Sequence, residues 1–185
     1  MNDYRINTNY AKALLLMAEE RGAADRVADD MRLVEQVSRE NRQLAVLFAN
    51  PTVPQGKKSD VLKALFAEHV TAETMAFLHF VVKKNRSVNL RGISDAYLAQ
   101  WREARGIVRA DLVTNLPVDD EAREAVKSMV AARTGKQVEL HDRTDAGMLG
   151  GFELEFDHNM YDARLRTKIR KLRLEFAKND YEKKL

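Results

Sequence analysis

The segment Gly147-Met148-Leu149-Gly150-Gly151-Phe152-Glu153-Leu154-Glu155-Phe156 constrains the fold of this chain more than any other. Two adjacent glycines leave no side chain where the backbone enters a run of strict apolar and charged alternation. That alternation predicts a strand with one buried face, and the glycines predict a place where backbone passes close to backbone. Phe152, Leu154 and Phe156 are expected to point inward, Glu153 and Glu155 outward. Asp157, His158 and Asn159 supply turn chemistry, and from Asp162 the apolar period lengthens to about three and a half. Leu165, Ile169, Leu172 and Phe176 then form one helical stripe, while Arg164, Arg166, Lys168, Arg170, Lys171 and Arg173 occupy the polar side. Strand, turn and helix are expected to form one packed unit.

Upstream, every periodic segment from residue 4 to about 104 is helical. Tyr10, Ala13, Leu14 and Met17 share one face of a first helix that stops near Gly22. Val27, Met31, Val34 and Val37 mark a second, and Leu44, Leu47 and Phe48 a short third. Asn50-Pro51 and Pro54 interrupt the chain, because proline lacks the amide donor and disfavours helix before it. Val61, Leu62, Leu65 and Phe66 carry a fourth helix. Thr71 is the expected N-cap of a fifth, built on Met75, Phe77, Leu78, Val81 and Val82, and Leu90, Ile93, Tyr97 and Trp101 define a sixth. Short connections between helices of this length imply an antiparallel bundle.

At Gly106 the period changes to two: Val108, Ala110 and Leu112 alternate with Arg109 and Asp111. Asp119 is the expected N-cap of a helix whose first turn holds Asp120 and Glu121, where the helix dipole favours acids. Ala122, Val126, Met129 and Val130 should form its buried side. Val138 and Leu140 make a further short strand. The expected architecture is an N-terminal six-helix bundle over residues 1–105, followed by a small α+β domain over 106–185 ordered strand, helix, strand, strand, helix.

Composition narrows the function classes. A formal net charge of only +3 gives little ground for a polyanionic partner. Without cysteine there are no disulfides and no thiolate metal sites, and an intracellular compartment is expected. No segment approaches the ~18 apolar residues needed to span a bilayer, so membrane association is expected only through partners.

Catalytic constellations are not found. Gly56-Lys57-Lys58-Ser59 comes nearest to a phosphate loop, but that motif needs an upstream glycine where Pro51 stands, and a preceding strand. The lysines are expected to be solvated. His69, His79, His141 and His158 lie far apart, none at ligand spacing with another. The basic face of the last helix reads either as an ordinary solvated face or as an electrostatic footprint for an acidic partner or a phosphate backbone, the last of which would make the chain a nucleic-acid-binding adaptor. The first and fifth helices carry more apolar residues than one buried face requires. Either both sit centrally in the bundle, or they leave a groove for an amphipathic helix of another protein.

Tyr10-Ala11-Lys12-Ala13-Leu14, Asn50-Pro51 with Lys57 or Lys58 following, Asn85-Arg86, and Asp145 followed by Leu149-Gly150-Gly151-Phe152 and Tyr161-Asp162 together resemble the delta subunit of bacterial F-type ATP synthase. This family is homologous to the mitochondrial oligomycin-sensitivity-conferring protein. The likeness runs over nearly the whole chain in order and spacing, although Arg164 stands where the family usually carries serine. It implies a non-catalytic peripheral-stalk subunit, without cofactor or metal, that links the catalytic head to the membrane sector. The helical domain would dock on the alpha and beta subunits of the head, taking an alpha-subunit N-terminal helix against Tyr10, Ala11, Ala13, Leu14, Phe77 and Val81. A change of Leu14 to Glu is expected to weaken this docking with the fold intact. The C-terminal domain would engage the b subunits of the stalk through the glycine-pair unit. Nucleic acid would not be a partner, and the location would be peripheral, on the cytoplasmic face of the bacterial membrane.

Overall fold

Leu90, Ile93, Tyr97, Leu98 and Trp101 recur at helical spacing along α6 (Leu90–Arg105) and are all buried, which makes this helix the spine of the first half. In the computed structural model residues 3–177 are described. The chain divides into two compact units, Met1–Arg105 and Gly106–Leu185. Residues 178–185, part of the expected second domain, lie outside the described residues.

In unit 1, α6 packs against α1 (Asp3–Glu20) and α2 (Ala24–Glu40). The chain then runs through α3 (Arg42–Ala49), α4 (Gln55–Phe66) and α5 (Ala72–Lys83), with a 3-10 turn at Ser87–Asn89 before α6. Polar side chains fasten this core. The Trp101 indole donates to Asp25 at 2.9 Å, and the Tyr97 hydroxyl donates to the Ala24 carbonyl at 3.1 Å. Burial raises the Tyr97 pKa well above the ordinary tyrosine value, so the neutral phenol is the form that fits the core.

Unit 2 is a mixed four-stranded sheet in the order β2-β1-β3-β4. β1 (Ile107–Thr114) runs parallel to β2 (Gln137–Thr144), with α7 (Asp120–Thr134) as the crossover, and antiparallel to β3 (Phe152–Phe156). The register sets Leu112 opposite Leu154 and Ala110 opposite Phe156. With Val108 and Val130 these residues form the buried core, and Val118, Val126, Val138, Leu140 and Tyr161 pack around it.

Three sequence expectations need correction here. β4 (Asn159–Asp162) was not anticipated: Asp157 and His158, both at positive φ, form the two-residue turn of a β3–β4 hairpin rather than a link from strand to helix. The second unit is therefore strand, helix, strand, strand, strand, helix. Phe152 is 38% exposed, because it occupies the last rung of the β1–β3 ladder, opposite Thr114. On α7 only Val126 and Val130 face the core, while Ala122 and Met129 are exposed, since one short helix over a narrow sheet buries a single i, i+4 line.

Candidate functional site

α1 and α5 each carry two apolar stripes. One stripe of α1, Ala11, Leu14, Leu15 and Ala18, is buried inside unit 1, as are Thr74, Leu78, Val81 and Val82 of α5. The second stripes, Tyr10, Ala13, Leu14 and Met17 on α1 and Ala76, Phe77 and Phe80 on α5, line an open cleft of about 510 Å³. Tyr10 and Phe80 meet at one end, ring centroids 6.1 Å apart, and Arg21 pairs with Glu73 at the other, at 3.6 Å. Cross-contacts in that sequence order make the two helices antiparallel walls.

Of the residues expected here, Tyr10, Ala13, Leu14 and Phe77 line the cleft. Ala11 and Val81 do not: both are fully buried on the core stripes, one helical step round from the cleft. Leu14 belongs to both surfaces and is only 1% exposed. A carboxylate there would enter the core, so Leu14→Glu is no test of docking with the fold intact. Met17, Ala76 and Phe80 were not assigned to the site. Their signal was in the sequence, since Met17 follows Ala13 and Leu14 by four and three residues, Phe80 follows Phe77 by three, and Ala76 precedes Phe80 by four.

Buried polar contacts hold the walls. Asp30 of α2 accepts from the Thr71 amide at 2.8 Å and from the hydroxyls of Thr71 and Thr74 at 2.7 Å each, just where Thr71 caps α5. A carboxylate at a helix N-terminus is favoured by the dipole, and here it ties α5 to α2. Ser59 of α4 is hydrogen-bonded to His79 of α5. Lys58, expected to be solvated, is buried: its ammonium donates to the Phe48 carbonyl at 2.8 Å, and the Ser87 hydroxyl donates to the same oxygen. The Gly56–Ser59 run therefore lies within a helix and ties α4 to the end of α3.

In unit 2, the glycine pair has the geometry its sequence demanded. Gly151 has φ +87°, and a Cβ there would lie 2.3 Å from the Ala163 carbonyl oxygen. This close approach lets the Ala163 amide bond Phe152 and the Leu165 amide bond Gly150. α8 (Leu165–Ala177) begins directly afterwards. Asp162 accepts from the Arg164 guanidinium at 2.8 and 3.0 Å, from its amide, and from the Thr167 hydroxyl at 2.9 Å. The Arg164 hydrogen bonds hold the Asp162 carboxyl well below the usual carboxylate range. Arg164 also reaches Glu153 at 2.8 Å, so it joins β3, β4 and the start of α8.

The apolar stripe of α8 is the largest departure from expectation. Leu165, Ile169, Leu172 and Phe176 are between 42% and 84% exposed, and among the described residues no other element shares an extended packed face with the helix. Its first turn is anchored by polar contacts, and α7 already covers the small core of the sheet, so the stripe is left bare. Beside it, Arg164, Arg166, Thr167 and Arg170 face the Asp145–Gly150 loop across a cleft of about 390 Å³.

Comparison with known proteins agrees with this architecture. The family model described as ATP synthase delta (OSCP) subunit matches residues 6–176. The protein called ATP synthase subunit delta in Cytophaga hutchinsonii is 35% identical over 96% of this chain and 97% of its own length. Its counterpart in Salinibacter ruber is 30% identical over 91% of this chain and 89% of its own. Among solved structures, a chain in the cryo-EM structure of the Toxoplasma gondii mitochondrial ATP synthase hexamer superposes with a TM-score of 0.70 at 20% identity, covering 92% of this chain and 97% of that one, which shows a shared fold.

Proposed function

This chain belongs to the ATP synthase delta (OSCP) family, the non-catalytic peripheral-stalk subunit of F-type ATP synthase, and from that premise we propose that its two units grip the two bodies a stator must join. Unit 1 docks on the alpha and beta subunits of the catalytic head and receives an alpha-subunit N-terminal helix in the α1–α5 cleft. Unit 2 takes the end of the b subunits. The chain works on the cytoplasmic face of a bacterial membrane, held there by its partners. Among the described residues no helix is long and apolar enough to cross a bilayer.

The observation that carries this reading is the cleft. Its walls are almost wholly apolar and aromatic, its polar groups sit at the ends, and its floor includes Leu14, a residue of the core. An amphipathic helix is the natural occupant of such a groove, with anchors at i, i+3, i+4 and i+7. Burying them contributes roughly 25 cal/mol per Å² before the losses of association. The mechanical role needs slow release rather than chemistry. Torque on the head is resisted only while both attachments hold, and an attachment resting on buried apolar area tends to act through its off-rate.

The test is titration of the full chain with a synthetic peptide of the alpha-subunit N-terminus from the same genome. Saturable binding, lost on Ala13→Glu, is expected. Ala13 lies exposed on the cleft wall, so its substitution leaves the core alone. Absence of binding, or binding indifferent to Ala13→Glu, overturns the assignment of this cleft.

A further inference from the structure

We infer that α8 is one half of a two-helix seam, and that its partner is an amphipathic helix whose seam-flanking positions are acidic. The inference rests on the reading that unit 2 takes the b subunits, and it names the surface used and the chemistry it selects.

Leu165, Ile169, Leu172 and Phe176 are spaced by four, three and four residues. That is the d, a, d, a order of a heptad, a narrow seam rather than the broad stripe of a helix lying on a core. In the same register Arg166 and Arg173 occupy e positions, and Lys168 and Glu175 occupy g positions. Those are the positions that choose a partner in a coiled coil. Over its length α8 holds five basic residues against one acidic, a larger positive surplus than the +3 of the entire chain. Among the described residues none of Arg166, Lys168, Arg170, Lys171 and Arg173 makes an ion pair. Arg164, by contrast, is held by Asp162 and Glu153. The charges that anchor the helix are thus neutralised, and those that border the bare seam are not.

Other occupants fit less well. A second copy of α8 would set base against base in either orientation, Lys168 against Arg173 in a parallel pair and Arg166 against Arg173 in an antiparallel one, with Glu175 the one relieving acid. A lipid surface calls for a wide apolar face, whereas here four side chains lie in a line and the next leucine, Leu174, points to the opposite side. A phosphate backbone would leave the apolar seam in water. An acidic helix satisfies the seam and its flanks together. Glu175, the single reversal, sets the register by favouring a base at the matching partner position.

The experiment titrates the full chain with three probes: a three-heptad helical peptide with leucine at a and d and glutamate at e and g, the same peptide with lysine at e and g, and the C-terminal segment of the b subunit from the same genome. The acidic peptide and the b segment are expected to bind, the lysine peptide at least tenfold more weakly, and the preference to shrink as salt is raised. Ile169→Glu should abolish binding without moving the thermal midpoint, and Arg166→Glu with Arg173→Glu should reverse the peptide preference. Equal affinity for both peptides, or binding that survives Ile169→Glu, overturns the seam. Stripe-dependent dimerisation in sedimentation, or capture of the chain by anionic vesicles in preference to the acidic peptide, overturns it as well. The b segment separates the two readings. If it binds regardless of Ile169→Glu, the stalk reading stands and the seam falls; if only the acidic peptide binds, through α8, the seam stands and the stalk reading falls.

Discussion

The two units treat spare apolar surface in opposite ways. In unit 1 the surplus sits in a cleft whose floor is the core itself, so Leu14 serves stability and recognition at once. In unit 2 the surplus lies on a helix that contributes little to its own fold, bordered by charges without partners among the described residues. A concave surface shared with a core is rigid before its ligand arrives, and its affinity rests on apolar burial. A convex stripe borrowed from no core can change with little effect on the fold, and its selectivity rests on charge. One chain can therefore hold two partners by attachments that respond differently to mutation, salt and pH.

The sharpest way to break this comparison is at Leu14. Leu14→Glu should cost about 4 kcal/mol or more, because it removes a core leucine and leaves a buried carboxylate without a counter-ion. Ala13→Glu, one residue away on the exposed wall, should stay within about 0.5 kcal/mol. Thermal denaturation followed by Trp101 fluorescence reads unit 1 directly, since the chain has one tryptophan. Equal midpoints for the two variants would mean that floor and core are not the same residues.

Gly151→Ala moves the comparison to unit 2. The substitution places a Cβ against the Ala163 carbonyl at a φ that side chains rarely adopt, and roughly 2–4 kcal/mol should be lost. Amide exchange in β1 should accelerate while Trp101 fluorescence stays unchanged. A simultaneous change in both probes would show that the units do not unfold separately.

These positions also mark how far the sequence could be read. The six helices of unit 1, the caps at Thr71 and Asp119, and the backbone crowding at Gly151 were legible because each depends on local periodicity or on one residue's chemistry. β4 was missed because four residues carry no resolvable period, and because Asp157-His158 suits a hairpin turn as well as any other. The exposure of the α8 stripe was missed for a deeper reason. Periodicity shows that a helix has an apolar side; it does not show whether that side is covered by its own chain or by another. The same ambiguity misplaced Ala11 and Val81, since a helix with two apolar stripes does not announce which one faces inward.

The units should also part at the extremes of pH. Asp162 is held below its unfolded value by Arg164, so its contribution is present above about pH 4 and lost as pH falls. Asp142, lowered by its hydrogen bond with Arg123, acts in the same direction and in the same unit. Tyr97 is raised, so its contribution is present below about pH 10 and lost as pH climbs beyond it. Acid should open unit 2 before unit 1, and alkali unit 1 before unit 2. Parallel titrations of β1 amide exchange and Trp101 fluorescence would show the order, and the same order at both ends would break the assignment.

The smallest expected effect tests the comparison most closely. Ile93 of α6 and Ile169 of α8 are the same residue type in helices of opposite standing, the first fully buried and the second 42% exposed. Ile93→Ala should cost about 2–5 kcal/mol, because it removes buried methyl groups and leaves a cavity. Ile169→Ala should cost at most about 0.5 kcal/mol in the free chain, since there is little packing to lose and alanine is the better helix former. With the acidic peptide bound the order should change: Ile169→Ala should weaken the complex several-fold, whereas Ile93→Ala should leave the affinity of the folded fraction untouched. An Ile169→Ala variant that destabilised the free chain as much as Ile93→Ala would show that α8 buries its stripe against its own unit, and the contrast between a shared floor and a bare stripe would be lost.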